Sequence, residues 1–130
     1  MEEKQALIYL VEDDVFIVNL YKRLFKVTEF ELATASNGED AIEDLRKREK
    51  KPDLILLDII LPRLNGFELL KLIKDNDSLK QIPVVVLTNL SEEEQAKKAL
   101  ELGVSLYLVK SLYTPQELID KVKEIIRSKQ

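Results

Sequence analysis

"DLILLDIILPRLNG", residues 53–66, sets four consecutive apolar side chains, Leu54 to Leu57, directly before a carboxylate, Asp58. An apolar run of strand length without polar alternation reads as a strand covered on both faces, as in a parallel sheet. Pro62 and Gly66 read most simply as turn residues shaping the loop after the acid. Desolvation favours the uncharged form of a carboxyl group. An ionisable residue at the end of so apolar a strand therefore calls for a compensating partner.

Runs of the same kind recur along the chain: "ALIYLV" (6–11), "IPVVVL" (82–87) and "SLYLV" (105–109), with a more alternating "FELATA" (30–35) that suits an edge strand. Helical spacing separates them. Ile17, Leu20, Tyr21, Leu24 and Phe25 follow the i, i+3, i+4, i+7, i+8 rule, so residues 15–27 should form an amphipathic helix. A second helix after "SNG" should bury Ala41, Ile42 and Leu45, and a third Phe67, Leu70 and Ile73. Ser91 with Glu94 reads as a capping box for a helix over 92–102 stopped by Gly103. Thr114, Pro115 and Glu117 supply a cap, a first-turn proline and a capping-box acid for a helix from 115 to about 128. Five β and five α elements alternate. This implies an α/β fold: a parallel sheet with right-handed crossovers and helices on both faces.

Composition narrows the chemistry. The chain has 130 residues, 45% hydrophobic, with no run near the ~20 apolar residues of a membrane span, and reads as one soluble domain over residues 1–130. "MEEKQ" is charged in both signs and does not resemble a signal peptide, so the expected location is cytoplasmic. The absence of cysteine and histidine excludes disulfides, thiolate catalysis, zinc held by His or Cys, a Ser-His-Asp triad and a phosphohistidine carrier. Carboxylates, lysines and hydroxyls remain. A net charge of −4 with interspersed bases gives no general attraction to nucleic acid.

Ligands of such sheets bind beyond the carboxyl ends of the strands, where strand order reverses. "VEDD" (Glu12, Asp13, Asp14), Asp58, Thr88 and Lys110 stand at the ends of four of the five expected strands. Each alone reads as a solvated turn residue, a cap or a surface charge. Together they would require four coincidences at one edge. Two carboxylates ~4 Å apart repel by about 4 kcal/mol at an effective dielectric of ~20, so grouping Glu12, Asp13 and Asp58 calls for a cation. Few oxygen ligands sharing a shell with water suit Mg²⁺ better than zinc or a dedicated calcium cage. A lysine and a hydroxyl opposite would hold an anion bridged by the metal, as phosphoryl groups are held.

"IYLVEDD", "LILLDIILPRLNGFELL", "IPVVVLTN" and "GVSLYLVK" resemble, in order and spacing, the signature blocks of the receiver domain of two-component response regulators, over about residues 5–127. The resemblance implies a (βα)5 flavodoxin-like, doubly wound parallel sheet with strand order 2-1-3-4-5. It implies that Asp58 is the phosphoacceptor, attacking a phosphohistidine of a sensor kinase or phosphotransfer protein. By the same resemblance Glu12, Asp13, Asp58 and the backbone carbonyl of Ile60 hold Mg²⁺, Thr88 and Lys110 engage the phosphoryl group, and Thr88 and Tyr107 act as the switch. Tyr107 also reads as an ordinary core aromatic, "EEEQAKK" (92–98) as a solvated helix face, and Asp14 as the cap of the first helix. Only the resemblance makes that helix part of a partner surface with Tyr107 and the last helix.

Two positions depart from the family pattern. Ser111 stands where proline usually follows the lysine, so a trans Lys110–Ser111 bond is expected, since a cis bond before a non-proline residue costs about 2.5–4 kcal/mol. Asn89 stands where a small residue usually follows the threonine, and would either crowd the phosphoryl site or add a donor to it. The positions flanking the phosphoryl group, two residues after Asp58 and two after Thr88, are the aliphatic Ile60 and Leu90. The expected function is a stand-alone, phosphorylation-switched signalling module, not an enzyme, acting on another protein as a monomer or phosphorylation-dependent dimer, with no direct contact to nucleic acid or membrane. The receiver part of a DNA-binding regulator would continue into a linker and a basic helix-turn-helix or winged-helix region, which "RSKQ" does not begin. An aspartate-nucleophile phosphatase would carry a second aspartate at position 60, and a flavin protein a Ser/Thr/Gly-rich loop in place of "EDD".

Overall fold

The computed structural model describes residues 5–128, so the first four residues of "MEEKQ" and the last two of "RSKQ" lie outside the described residues. β1 (Leu7–Val11), α1 (Val15–Lys26), β2 (Glu31–Ala35), α2 (Gly38–Lys47), β3 (Leu54–Leu57), α3 (Gly66–Asp75), β4 (Val84–Thr88), α4 (Glu93–Glu101), β5 (Leu106–Val109) and α5 (Pro115–Ser128) alternate as expected, with a 3-10 turn at Lys110–Leu112. The strands form one parallel sheet in the order β2-β1-β3-β4-β5.

Successive side chains of a strand point to opposite faces, and here both faces are covered. Tyr9, Val11, Ile55, Leu57, Val84 and Val86 pack with Ala41, Leu45, Leu70, Ile73 and Ala99 of α2, α3 and α4. Ile8, Leu10, Leu54, Leu56, Val85 and Leu87 pack with Tyr21, Phe25, Leu118 and Val122 of α1 and α5. That two-sided burial explains why β1, β3 and β4 read as continuous apolar runs, whereas the edge strand β2 is only partly buried. Because β1 pairs with both β2 and β3, the strand order reverses at β1, and the crevice lies beyond Val11 and Leu57.

Local signals set most of the boundaries. Asp14 caps α1, its carboxylate accepting from the N–H groups of Phe16 and Ile17. Thr114 and Glu117 exchange the two bonds of a capping box at 2.9 and 3.1 Å. Gly103 follows α4 at φ 95, the left-handed conformation that glycine adopts freely.

Several expectations differ from the structure. α4 starts one residue later than expected, with Glu92 at its cap and no side-chain cap bond, so Ser91 and Glu94 form no capping box. Glu93 and Glu94 instead place negative charge in the first turn, where the helix dipole favours it. Leu20 is 41% exposed, at the rim of the α1 stripe, while Tyr21 and Phe25 carry the burial. Gly66 is the first residue of α3 and no mere turn residue: a Cβ there would lie 2.5 Å from the Asp58 carbonyl oxygen and from Ile59 Cα. Its hydrogen side chain lets α3 seat directly on the backbone that carries Asp58. The capping box of Asn65 and Glu68 fixes that helix start.

Candidate functional site

The residues expected at strand ends stand there, on one edge of the sheet, while Tyr107 lies within β5. Glu12 directly follows β1, Asp58 follows β3, Thr88 closes β4 and Lys110 follows β5 as the first residue of the 3-10 turn. Backbone bonds hold the two acids in register: the N–H of Glu12 donates to the Ala35 carbonyl at 3.0 Å, and that of Asp58 to the Val11 carbonyl at 3.1 Å.

Glu12, Asp13 and Asp58 each bring a carboxylate oxygen within 4.8 Å of the others. Glu12 and Asp58 are buried, and the Lys110 ammonium bridges them, donating to Glu12 Oε1 and, at 2.9 Å, to Asp58 Oδ2. The second Glu12 oxygen accepts from the Asp13 N–H at 3.1 Å, and Asp58 Oδ1 from the Ile60 N–H at 3.1 Å. Burial pushes the Glu12 carboxyl up to about 7; the Asp58 charge adds to the rise and the Lys110 bond opposes it. Burial alone would lower Lys110, but its bonds to Glu12 and Asp58 outweigh this and hold it above its ordinary value, so it stays an ammonium.

Thr88 is fully buried and engaged with its own loop, its hydroxyl accepting from the Leu90 N–H at 3.4 Å. Tyr107 is half-buried, and its hydroxyl donates to the Leu90 carbonyl at 2.7 Å. One peptide-bearing residue, Leu90, thus links the two expected switch residues. The sequence carries no sign of this link, since nothing in the side chain of a leucine signals a role played by its N–H and C=O. Asn89 is exposed and does not fill the buried space at Thr88. No cis peptide occurs among the described residues, so Lys110–Ser111 is trans.

The donor set fits a hard divalent cation. All three side chains offer oxygen, two of them are buried, and one is desolvated enough to raise its pKa, which is the condition a cation relieves. Among the described residues no helix is long and apolar enough to cross a membrane.

The family model described as the response regulator receiver domain matches residues 8–123. The polar-differentiation response regulator DivK of Brucella anthropi is 31% identical over 92% of this chain and 94% of that protein. The alkaline phosphatase synthesis transcriptional regulatory protein PhoP of Bacillus subtilis is 35% identical over 92% of this chain but only 48% of that protein. The chain spans about half the length of several such curated relatives. Among solved structures, the phosphorylated cyanobacterial phytochrome response regulator RcpA superposes with a TM-score of 0.86 at 32% identity, covering 98% of this chain and 97% of that one. The Mn²⁺-bound form of response regulator Rcp1 superposes at 0.79 with 36% identity, covering 92% and 91%.

Proposed function

Since the chain belongs to the response regulator receiver family and is a phosphorylation-dependent signalling receiver, we propose that Asp58 is its phosphoacceptor and that Glu12, Asp13, Thr88, Lys110 and Tyr107 serve that one reaction. The observation that carries this reading is the Lys110 ammonium bridging Glu12 and Asp58 beside an acidic cluster. An Asp58 oxygen attacks the phosphorus of a phosphohistidine, a P–O bond forms as the P–N bond breaks, and the imidazole leaves with the bonding pair. Glu12, Asp13 and Asp58, with the Ile60 carbonyl, would hold Mg²⁺, which when bound neutralises the charge on the transferring group.

The chain's own groups do the rest. The Ile60 N–H fixes one Asp58 oxygen and so orients the nucleophile. Lys110 exchanges one of its carboxylate partners for a phosphoryl oxygen. Thr88 leaves the Leu90 N–H to donate its hydroxyl to the same group. This frees the N–H of Leu90, the residue whose carbonyl holds Tyr107, giving phosphorylation a route to the β4–α4 loop and the α4–β5–α5 face. That face is where we place the output partner, a protein. RcpA is described as phosphorylated and Rcp1 as Mn²⁺-bound, and both support the reading. The phosphoryl donor is a sensor histidine kinase or phosphotransfer protein, and the module works in the cytoplasm.

The test is intact mass after incubation with acetyl phosphate. One phosphoryl group should be gained with Mg²⁺ and none with excess chelator. Equal uptake in both would remove the metal from the reading.

The lifetime of the adduct should be long. Hydrolysis requires a water placed in line with the breaking bond, and placement is most of what a protein contributes to phosphoryl transfer. Ile60 is 55% exposed beside Asp58, and Leu90 packs partly against the core, so neither offers a polar atom of its side chain to orient that water. Decay in excess Mg²⁺ should be several-fold faster in Ile60→Asn with Leu90→Glu, by about 1 kcal/mol for the new water contacts. Unchanged decay there, or slower decay in Asn89→Ala alone, would place control elsewhere.

A further inference from the structure

The loop from Asp58 to α3 carries the Ile60 carbonyl proposed above as a metal ligand, and the N-terminus of α2 braces it. A Cβ on Gly38, the first residue of α2, would lie 2.0 Å from the Leu64 carbonyl oxygen and 2.9 Å from Leu64 C and Cβ. Next to that contact Arg63 sits at φ 70, a left-handed conformation costly for a residue with a side chain. Its Nε donates to Glu39 Oε2 of α2 at 2.9 Å. The Leu64 N–H closes the turn onto the Pro62 carbonyl at 2.8 Å.

The bracing element is itself fixed. Asn37 is buried, accepts from the Asp40 N–H at 2.8 Å and donates to the Asp40 carboxylate at 2.9 Å. Ala41 and Leu45 are fully buried in the core below. On its other side the loop ends at Gly66, seated against the Asp58 and Ile59 backbone. The loop is therefore held between two glycine contacts, one to the Asp58–Ile59 backbone just beyond β3 and one to a helix that contributes no residue to the acidic cluster.

We propose that Gly38 is a positioning residue: by admitting the Leu64 carbonyl against α2, it sets the conformation of the loop after Asp58 and through it the divalent-metal affinity of the site. The proposal rests on the reading that Asp58 and the Ile60 carbonyl hold the metal. Mg²⁺ demands near-ideal octahedral geometry, and metal–ligand distances must fall within about 0.2 Å of their preferred values. A methyl group at Gly38 meets a backbone atom, which cannot swing aside as a side-chain tip can. With α2 anchored in the core, the loop must move instead, by about 1 Å, a displacement large enough to cost about 10²-fold where geometry matters.

The experiment is a calorimetric Mg²⁺ titration, with thermal unfolding measured alongside, on wild type, Gly38→Ala, Arg63→Gly and Gly103→Ala. Gly103 lies at the α4–β5 turn with φ 95, so its alanine variant loses stability by strain away from the site. Gly38→Ala should bind Mg²⁺ about ten-fold more weakly. Arg63→Gly, which relieves the left-handed strain while releasing Glu39, should bind about two- to five-fold more weakly without losing stability. Gly103→Ala should unfold at lower temperature with wild-type affinity. Wild-type affinity in folded Gly38→Ala overturns the proposal, as does equal weakening in Gly103→Ala. Should Gly38→Ala not fold, wild-type affinity in Arg63→Gly overturns it alone. A wild-type protein that takes up no Mg²⁺ overturns the metal reading itself and the inference with it.

Discussion

Asp58→Asn should gain no phosphoryl group from acetyl phosphate and Mg²⁺ under conditions in which the wild type gains one. The substitution is close to isosteric and keeps an oxygen that can accept from the Ile60 N–H, now at 3.1 Å. It removes the anionic oxygen that Lys110 contacts at 2.9 Å, and an amide oxygen is a far weaker nucleophile toward phosphorus. Loss of the adduct would not reflect loss of the fold. The Asp58 charge is one of the causes that raise the Glu12 carboxyl, so neutralising it relieves repulsion inside the cluster. The broken Lys110–Asp58 bond opposes that relief, but Lys110 keeps Glu12 as a partner, so the variant should stay folded with stability within about 1–2 kcal/mol of the wild type. The measurement is intact mass with urea unfolding on the same sample. A variant of normal stability that still takes up one phosphoryl group would move the nucleophile to another residue, with Asp13, the exposed member of the cluster, the first to examine.

The legibility of this chain in its sequence follows its burial. β3, covered on both faces by two core layers, reads to the residue because no position in "LILL" can be polar, whereas β4 begins two residues later than its apolar run suggests. There Ile82 and Pro83 precede the paired segment; proline has no N–H to give a ladder, although its carbonyl accepts from Ile55. Chemistry at the strand ends was equally visible, since a carboxylate beside an apolar run is anomalous in one dimension as well as three. Contacts made by the backbone were not. The Leu90 N–H and carbonyl that reach Thr88 and Tyr107, and the Leu64 carbonyl against Gly38, belong to residues whose side chains suggest nothing. "SNG" reads as a turn before a helix, yet its glycine is needed for a close approach by a loop 26 residues away in sequence, counting from Gly38 to Leu64. The α4 cap failed for a related reason. A capping box is a pattern of two residue types, and a chain with acids at 92, 93 and 94 can start the helix one residue along without losing favourable charge in the first turn.

Replacing Lys110 by Met should destabilise the protein in a pH-dependent way and slow phosphorylation. Methionine keeps most of the stem and loses only the ammonium of a side chain that is 14% exposed and bridges Glu12 and Asp58, whose side chains are 2% and 9% exposed. Removing one partner of a buried pair costs about 3–5 kcal/mol when the remaining charge has no escape. Here Glu12 has one, because it can take up a proton, so the cost should be nearer 1–3 kcal/mol at pH 8. The direction with pH follows from the Glu12 carboxyl. Already at about 7 in the folded protein, above its ordinary 4.5, it is held down only by the Lys110 bond and would rise further without it. A carboxyl whose folded pKa lies above its unfolded one is at no disadvantage at low pH and loses stability as pH climbs from about 4.5 through the folded value. Urea unfolding at pH 5.5 should therefore show a small deficit and at pH 8 a large one, with Mg²⁺ restoring part of the loss at pH 8 by supplying the missing positive charge. Adduct formation should fall by about 10²-fold, as expected for loss of one charged donor to the transferring group. An equal deficit at both pH values would assign the effect to packing of the shorter, sulfur-bearing side chain. It would also mean that Lys110 neutralises neither acid, leaving the buried Asp58 without the protein partner on which its reading as an anionic nucleophile depends.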